Sequence, residues 1–404
     1  MPRFEIGPAI RARLGGPRFA GKAPRLLVFR GEYWIDTACV RAARALGWQC
    51  ESVPVPMVGH FPREGLARLV QTLVDFTPDF VLTANLSGLD TQGILAALFR
   101  DLRIPLVTWF VDDPRTILMN SDMMAFPEAI AFTWDAAYLP YLQERGFGQT
   151  AWLPLAADIF LFNAESAESW SLPPTFVANS MTGQSEEMMN RLRAMDPRTA
   201  DRLEQAFARD LVTRERFAEG VDALLEDGLP PLPPDPELRR AVEMAAFVEG
   251  TRRLRVNLAR TLCPLGLRVR GDADWSRYLP PEYCGPYVNY EADLPAFYRD
   301  CPVNLNATSL QMPRAVNQRV FECPAAGGFL ITDAQPDLFE LFEPGTEMIC
   351  WHTPAECADL FKYYLSHPDE RIAIARRARD RVLRQHTYQH RLLEMERLLR
   401  QYFS

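Results

Sequence analysis

Residues 317–333 read NQRVFECPAAGGFLITD. A polar opening gives way to Ala325-Ala326-Gly327-Gly328 and then to an apolar run closing on Thr332-Asp333. The pattern predicts a short helix feeding a buried strand, with small residues that let the two approach closely. Arg319 and Glu322 sit three positions apart, on one helical turn. On a plain surface helix that is an ordinary ion pair worth about 0.2–0.5 kcal/mol. The other reading starts from the whole of 301–332, which runs strand, polar loop, helix, strand. Its helix begins near Asn317, at the carboxyl end of a parallel strand, where open α/β sheets bind ligands. Free backbone N–H groups there favour an anion. Arg314 and Arg319 can add charge-assisted hydrogen bonds to phosphate oxygens. The Glu322 carboxylate can accept from the vicinal hydroxyls of a ribose. From these residues alone, a nucleotide-diphosphate site and an ordinary surface helix both stay open.

Outward from this stretch the chain alternates β-type runs with amphipathic helical ones. RLLVF (25–29), a weak SVPV (52–55), DFVLTA (79–84), IPLVTWFV (104–111) and AIAFTW (129–134) read as strands. Helices are expected at 35–46, 62–76, 90–102 and 138–145. Such alternation implies parallel strands with crossover helices. AWLPLAADIFLFNAES (151–166) reads as a connector, and PTFVANS (174–180) opens a second series. That series continues with LRVRG (267–271), CPVNLNA (301–307), GFLIT (328–332) and EMICW (347–351). Residues 184–262 are charged and mostly helical with a break at 227–237, and read as an insertion. The tail, 369–403, reads as nearly continuous helix. Two α/β halves in tandem place a cleft between domains, a usual location for a ligand.

At 404 residues two domains are the natural expectation, and an apolar content of 48% supplies two cores. A net charge of −8 argues against nucleic acid as the partner. No apolar run approaches a bilayer span and the first residues lack a leader-like core, so the expected location is cytoplasmic. The eight cysteines are scattered without a CxxC, which suggests neither a disulfide framework nor a zinc site.

Several motifs fail on inspection. GPRFAGKA (16–23) resembles a phosphate loop, but it precedes the first strand, and Ala23 replaces the hydroxyl that would hold Mg²⁺. No GxGxxG follows the first strand, where FRGEYW stands, so nicotinamide chemistry is not expected. HTYQH (386–390) puts two histidines at i,i+4 on an expected helix, but Thr387 stands where a metalloprotease needs Glu. GDADW (271–275) holds an Asp-x-Asp, yet the Gly271 turn after a strand is its more meaningful part. WFVDDP (109–114) ends a strand with paired carboxylates, and Pro114 keeps Asp113 from helical backbone. Asp112 and Asp113 are the catalytic candidates, as a general base toward an acceptor hydroxyl or as acceptor-binding groups. The bland alternative is a loop-capping Asp beside a solvated one. Asn85 and Asp90, in NLSGLD (85–90), are acceptor-side candidates, although Asp90 also suits a helix cap. Glu32 and His60 lie on other early loops.

NQRVFECPAAGGFLITDAQPDLFELFEPGTEMICW (317–351), with YYLSHPDERIAIARRARDRVLRQHTYQHR (363–391), resembles the C-terminal part of CgeB-like glycosyltransferases, relatives of the group 1 transferases. PLVTWFVDDPR (105–115), WLPLAAD (152–158) and PTFVANSM (174–181) look like further segments of that family. The resemblance implies an α/β chain of the GT-B fold: two facing Rossmann-like domains with parallel sheets, plus a helical insertion in the C-terminal domain. Residues 1–158 would form the acceptor domain, with tail helix 387–404 packing back on it. Residues 172–386 would bind the nucleotide sugar, with 184–262 inserted. By this similarity Glu322 corresponds to the group that holds the donor ribose. Asn317 and Arg319 would lie by the diphosphate, and Gly271-Asp272 would face the base or ribose. Ser180 and Asn306, near the ends of their strands, complete the donor set. Group 1 enzymes carry two glutamates eight positions apart. Arg314 takes the earlier position here, so their retaining mechanism is not carried over, and Arg314 is assigned to phosphate.

The expected activity is metal-independent transfer of a sugar from a nucleotide-diphosphate donor to a carbohydrate or protein acceptor. No cofactor is expected beyond the donor, itself a substrate. The insertion is a candidate lid, acceptor platform or homodimer contact. Two other classes remain at this stage: a non-catalytic sugar-nucleotide or carbohydrate-binding protein of the same fold, and a sugar-nucleotide epimerase.

Overall fold

The computed structural model describes residues 7–56, 63–90, 93–118, 129–210, 213–225 and 231–403. The chain forms two compact units, Met1–Asp158 with His386–Ser404, and Ile159–Gln385.

In unit 1, α1 (Pro8–Leu14) precedes β1 (Arg25–Arg30), α2 (Trp34–Ala45), β2 (Gln49–Pro54) and α3 (Arg63–Phe76). Then come β3 (Phe80–Ala84), α4 (Ile94–Asp101), β4 (Leu106–Phe110) and α5 (Pro114–Ile117). β5 (Ala129–Thr133), α6 (Leu139–Glu144) and β6 (Gln149–Trp152) close the series. The six strands form one sheet in the order β2-β1-β3-β4-β5-β6, and every pairing is parallel. Strands β3, β4 and β5 are buried at every residue, as expected when helices cover both faces. The connector expected from residue 151 therefore starts inside a sixth strand.

Arg18, in the phosphate-loop-like stretch, donates to the carbonyls of Pro78 (3.0 Å), Leu102 (3.1 Å) and Arg103 (3.1 Å). The Asp79 carboxylate accepts from the backbone N–H of Phe19 and Arg25. That stretch ties together the segments that lead into β1, β3 and β4, a packing role.

In unit 2, β7 (Thr175–Val177) is followed by α7 (Thr182–Met195), α8 (Pro197–Ala208), α9 (Arg214–Glu219), α10 (Val221–Leu224) and α11 (Pro236–Leu262). The series continues with β8 (Arg268–Arg270), β9 (Cys284–Gly285), α12 (Leu294–Asp300), β10 (Asn304–Leu305) and α13 (Arg319–Ala325). β11 (Leu330–Asp333), α14 (Leu338–Leu341), β12 (Ile349–Trp351), α15 (Pro354–Ser366) and α16 (Pro368–Gln385) complete it. The sheet order is β12-β11-β10-β7-β8-β9, again parallel throughout. Helix α11 starts where the sequence places a Pro after an Asp: Asp235 accepts from the N–H of Glu237 and Leu238, which relieves unpaired donors of the first turn. The helical segment begins at Thr182, two residues before the expected boundary.

The tail is not one helix. It breaks at His386–Thr387, where Thr387 bridges Ala157, and resumes as α17 (Tyr388–Phe403) within unit 1. His386 thus lies outside α17, and the Thr387 hydroxyl meets His390 Nδ1 at 2.7 Å. His60 lies outside the described residues. Among the described residues no helix is long and apolar enough to cross a membrane.

Candidate functional site

The carboxyl ends of β7, β8 and β10 gather most of the donor-side candidates in unit 2. Asp272 follows β8, and its Oδ1 accepts from the Ser180 hydroxyl at 2.8 Å and from Asp274 N–H at 3.1 Å. Its Oδ2 accepts from Ser180 N–H at 2.5 Å. Ser180 and Asp272 therefore tie the β7 and β8 loops together. Gly271 permits this approach: a Cβ there would lie 2.1 Å from the Ala178 carbonyl oxygen.

The ion pair that the 317–333 stretch suggested gives way to a different arrangement. Arg319 donates to the Tyr298 hydroxyl (3.2 Å), to Asn306 Oδ1 (2.7 Å) and to the Val177 carbonyl. It links α12, the residue after β10, and β7. Asn306 is fully buried; its amide donates to Thr332 Oγ1 at 2.9 Å, and its Oδ1 also accepts from Asn317 Nδ2 at 2.8 Å. Glu322 is buried, with Oε1 accepting from the Tyr290 hydroxyl and from Gln318 Nε2. Arg314 turns to Asp337, with Nε 3.1 Å from Oδ1. Helix α13 starts at Arg319, two residues later than expected, and spans only seven residues.

Sequence reasoning missed Arg255. This residue of α11 donates from Nη1 to the Asn179 carbonyl at 2.8 Å, while its Nε is buried with no partner among the described residues. Burial, then the neighbouring Arg319 guanidinium, push its pKa down to about 10, against the pull of Asp333 and Asp272. Asn317 Oδ1 is likewise buried with no partner among the described residues. Buried polar atoms are rarely left unpaired. The unused Arg255 Nε–H and the like charge of Arg319 both favour a negative group beside them, whereas the Asn317 oxygen is an acceptor and calls for a hydrogen-bond donor. Tyr290 and Gln318 were missed too. Gln318 had a readable signal, since it stands four positions before Glu322 on one helical face.

In unit 1 Asn85 and Asp112 meet at the ends of β3 and β4. Asn85 sits in left-handed backbone (φ 48°), which Asn tolerates better than most residues. Its Oδ1 accepts from Val111 N–H (2.9 Å) and Asp112 N–H (3.3 Å), and its Nδ2 donates to Asp112 Oδ2 at 2.8 Å. Tyr33 bonds Asn85, and its phenol is pushed up by burial, with the negative charge of Asp112 adding to the shift.

Asp112 and Asp113 separate clearly. Asp113 is buried, caps α5 through Arg115 N–H at 2.9 Å and pairs with the Arg115 guanidinium at 2.6 Å. That occupies both its oxygens structurally, so the loop-capping reading holds for Asp113. Asp90 accepts from the N–H of Ile94 (2.9 Å) and Leu95 (2.8 Å), a helix-entry role. Glu32 is exposed.

Residues 240–397 match a family described as "Glycosyl transferase-like". No curated protein matches the chain. Among solved structures, sucrose-phosphate synthase from Thermosynechococcus elongatus aligns with a TM-score of 0.55 at 12% identity, covering 95% of this chain and 99% of that one. The fold is GT-B. HepE of Anabaena, in complex with UDP and glucose, aligns at a TM-score of 0.53 and 12% identity, covering 94% and 100%. A glycosyltransferase from Rickettsia africae gives 0.52 at 10% identity, covering 94% and 99%. The GT-B fold with two parallel sheets, expected from the 317–391 resemblance, stands.

Proposed function

We propose that the protein is a glycosyltransferase whose unit 2 binds a nucleotide-diphosphate sugar and whose unit 1 serves the acceptor. The observation that carries the reading is the pair of guanidiniums of Arg255 and Arg319, with the Arg255 Nε donor unused among the described residues, at the carboxyl ends of β7, β8 and β10. The glycosyl transferase-like match over 240–397 contains both residues. A UDP-bound GT-B neighbour makes a nucleoside diphosphate the natural anion to test. The CgeB-like resemblance over 302–392 is a further support for the donor side.

In this reading the diphosphate lies against Arg255 and Arg319, relieving their repulsion, and Glu322 with Tyr290 takes the ribose hydroxyls. As transfer proceeds, the acceptor oxygen bonds to the anomeric carbon, the bond from that carbon to the diphosphate oxygen breaks, and the nucleoside diphosphate leaves with the electron pair. The two guanidiniums stabilise the charge that develops on the leaving oxygen, so no divalent ion is required by this route. Asp112, oriented by Asn85, receives the acceptor proton.

Calorimetry with UDP, GDP and dTDP tests the donor site. One of the three is expected to bind, and Arg255→Ala and Glu322→Gln should each weaken it by about 10- to 150-fold, the worth of one charged hydrogen bond. Turnover with the matching sugar donor should persist in EDTA. Absence of binding by every nucleoside diphosphate, or full affinity in both variants, would sink the reading. Binding without turnover or donor hydrolysis under any condition would favour a non-catalytic nucleotide-sugar binder.

A further inference from the structure

A cavity of about 700 Å³ lies within unit 2, and none of the residues that bond Arg319 lines it. Helices of the 182–262 segment wall one side and the ends of β11 and β12 the other. Its size falls within the range of ordinary small-molecule sites.

Directed bonds hold the cavity open. Arg214 of α9 donates to the carbonyls of Thr308 (2.9 Å), Ser309 (2.7 Å) and Met312 (2.6 Å), and pairs with Asp333 at 3.2 Å. This fixes α9 against the loop that follows β10. Gly250 lets that loop approach α11, because a Cβ there would lie 2.6 Å from Leu310 Cδ2.

The lining chemistry selects a ligand class. Arg214 is held by Asp333, and Arg253 by Glu249 at 2.6 Å. Glu249 is shared with Arg252, and among the described residues the wall sets the guanidiniums of Arg214 and Arg253 against the carboxylates of Asp210, Glu215 and Asp333, so acidic groups outnumber basic ones. Asp210 and Glu215 bring carboxylates to the wall, Asn257 brings an amide, and Leu254, Leu310 and Pro336 supply apolar surface. Carboxylates accept hydroxyl donors and repel phosphates and uronates. Apolar walls with a few polar groups suit a ring that has C–H faces and an O–H rim. We propose that this cavity, built by the helical segment against β11 and β12, is a second site that binds an uncharged saccharide. The inference goes beyond the donor-site reading and does not depend on it.

Saturation-transfer NMR and calorimetry on the full chain provide the test. The probes are glucose, maltotriose, cellotriose and chitotriose, set against glucuronate and glucose 6-phosphate. At least one uncharged probe should saturate the protein and bind at least tenfold tighter than the charged ones. Asn257→Trp, which fills the cavity from an exposed wall position, should abolish that binding, and Glu215→Gln should weaken it about tenfold. UDP titrated into the same variants reads the Arg255–Glu322 site separately, so failure there and failure here are told apart. The proposal is overturned if no uncharged probe saturates the wild type, if Asn257→Trp binds it undiminished, or if the charged sugars bind equally well.

Discussion

Asp36 stands on the first turn of α2, 3% exposed, and its carboxylate accepts from Gly31 N–H at 2.8 Å. Burial raises its pKa from 3.8 to about 7, and the hydrogen bonds and Arg30 only partly offset this. The native state therefore holds the proton more tightly than the unfolded chain does. The resulting stabilisation is complete below about pH 4 and is lost as the pH rises through about 7. Its full size is at most about 4 kcal/mol. Asp36→Asn can still accept from Gly31 but does not ionise. Urea melts of both proteins from pH 4 to 8 should show the variant gaining on wild type steadily as pH rises; parallel curves would contradict the assignment. Asp113 makes the opposite case. Its position before Pro114 made a cap legible in the sequence, whereas the Arg115 guanidinium that closes over it appears only in three dimensions.

At the scale of elements, the long crossovers and fully apolar strands were readable because a buried parallel strand leaves a continuous run between helix periods. The two-residue strands were not. β9 (Cys284–Gly285) has no period to detect, and of the expected strand 301–307 only Asn304–Leu305 pairs. Periodicity gave no sign of the break at His386–Thr387, and the 386/387 boundary came only from the family resemblance: the break is imposed by a bridge to Ala157, more than two hundred residues earlier in the chain. Arg255 stayed invisible because RRLRVNLAR (252–260) reads as an ordinary solvated face until α11 is laid across the β7 and β8 loops. Gly271, in contrast, was marked as a turn from sequence, and the structure supplies the reason in its contact with Ala178. Gly271→Ala forces a Cβ to 2.1 Å from a carbonyl oxygen that also accepts from Trp275 Nε1 at 2.7 Å. The β7–β8 pairing must yield, at an expected loss of about 2–4 kcal/mol, typical of a severe backbone clash. Thermal denaturation checks this, and an unchanged Tm would show that the two loops can separate freely.

For the whole molecule, the two units differ in what they should respond to. Unit 1 has an apolar cluster that includes Leu27, Phe29, Phe99 and Phe110, and it carries Asp36. Unit 2 has one cluster around Phe176, Trp275 and Ile331 and another among the 182–262 helices, and it carries Arg255 and Glu322. A ligand that binds only the native state stabilises what it binds by about 2.7 kcal/mol at a hundred times its Kd. If each core unfolds as its own cooperative block, scanning calorimetry should resolve two transitions with separate controls. Saturating UDP should raise the one that Gly271→Ala lowers, and pH should move the one that Asp36→Asn alters. A single transition displaced equally by nucleotide, pH and both substitutions would mean instead that the two cores melt as one block, so that nucleotide binding also stabilises the unit that carries Asp112.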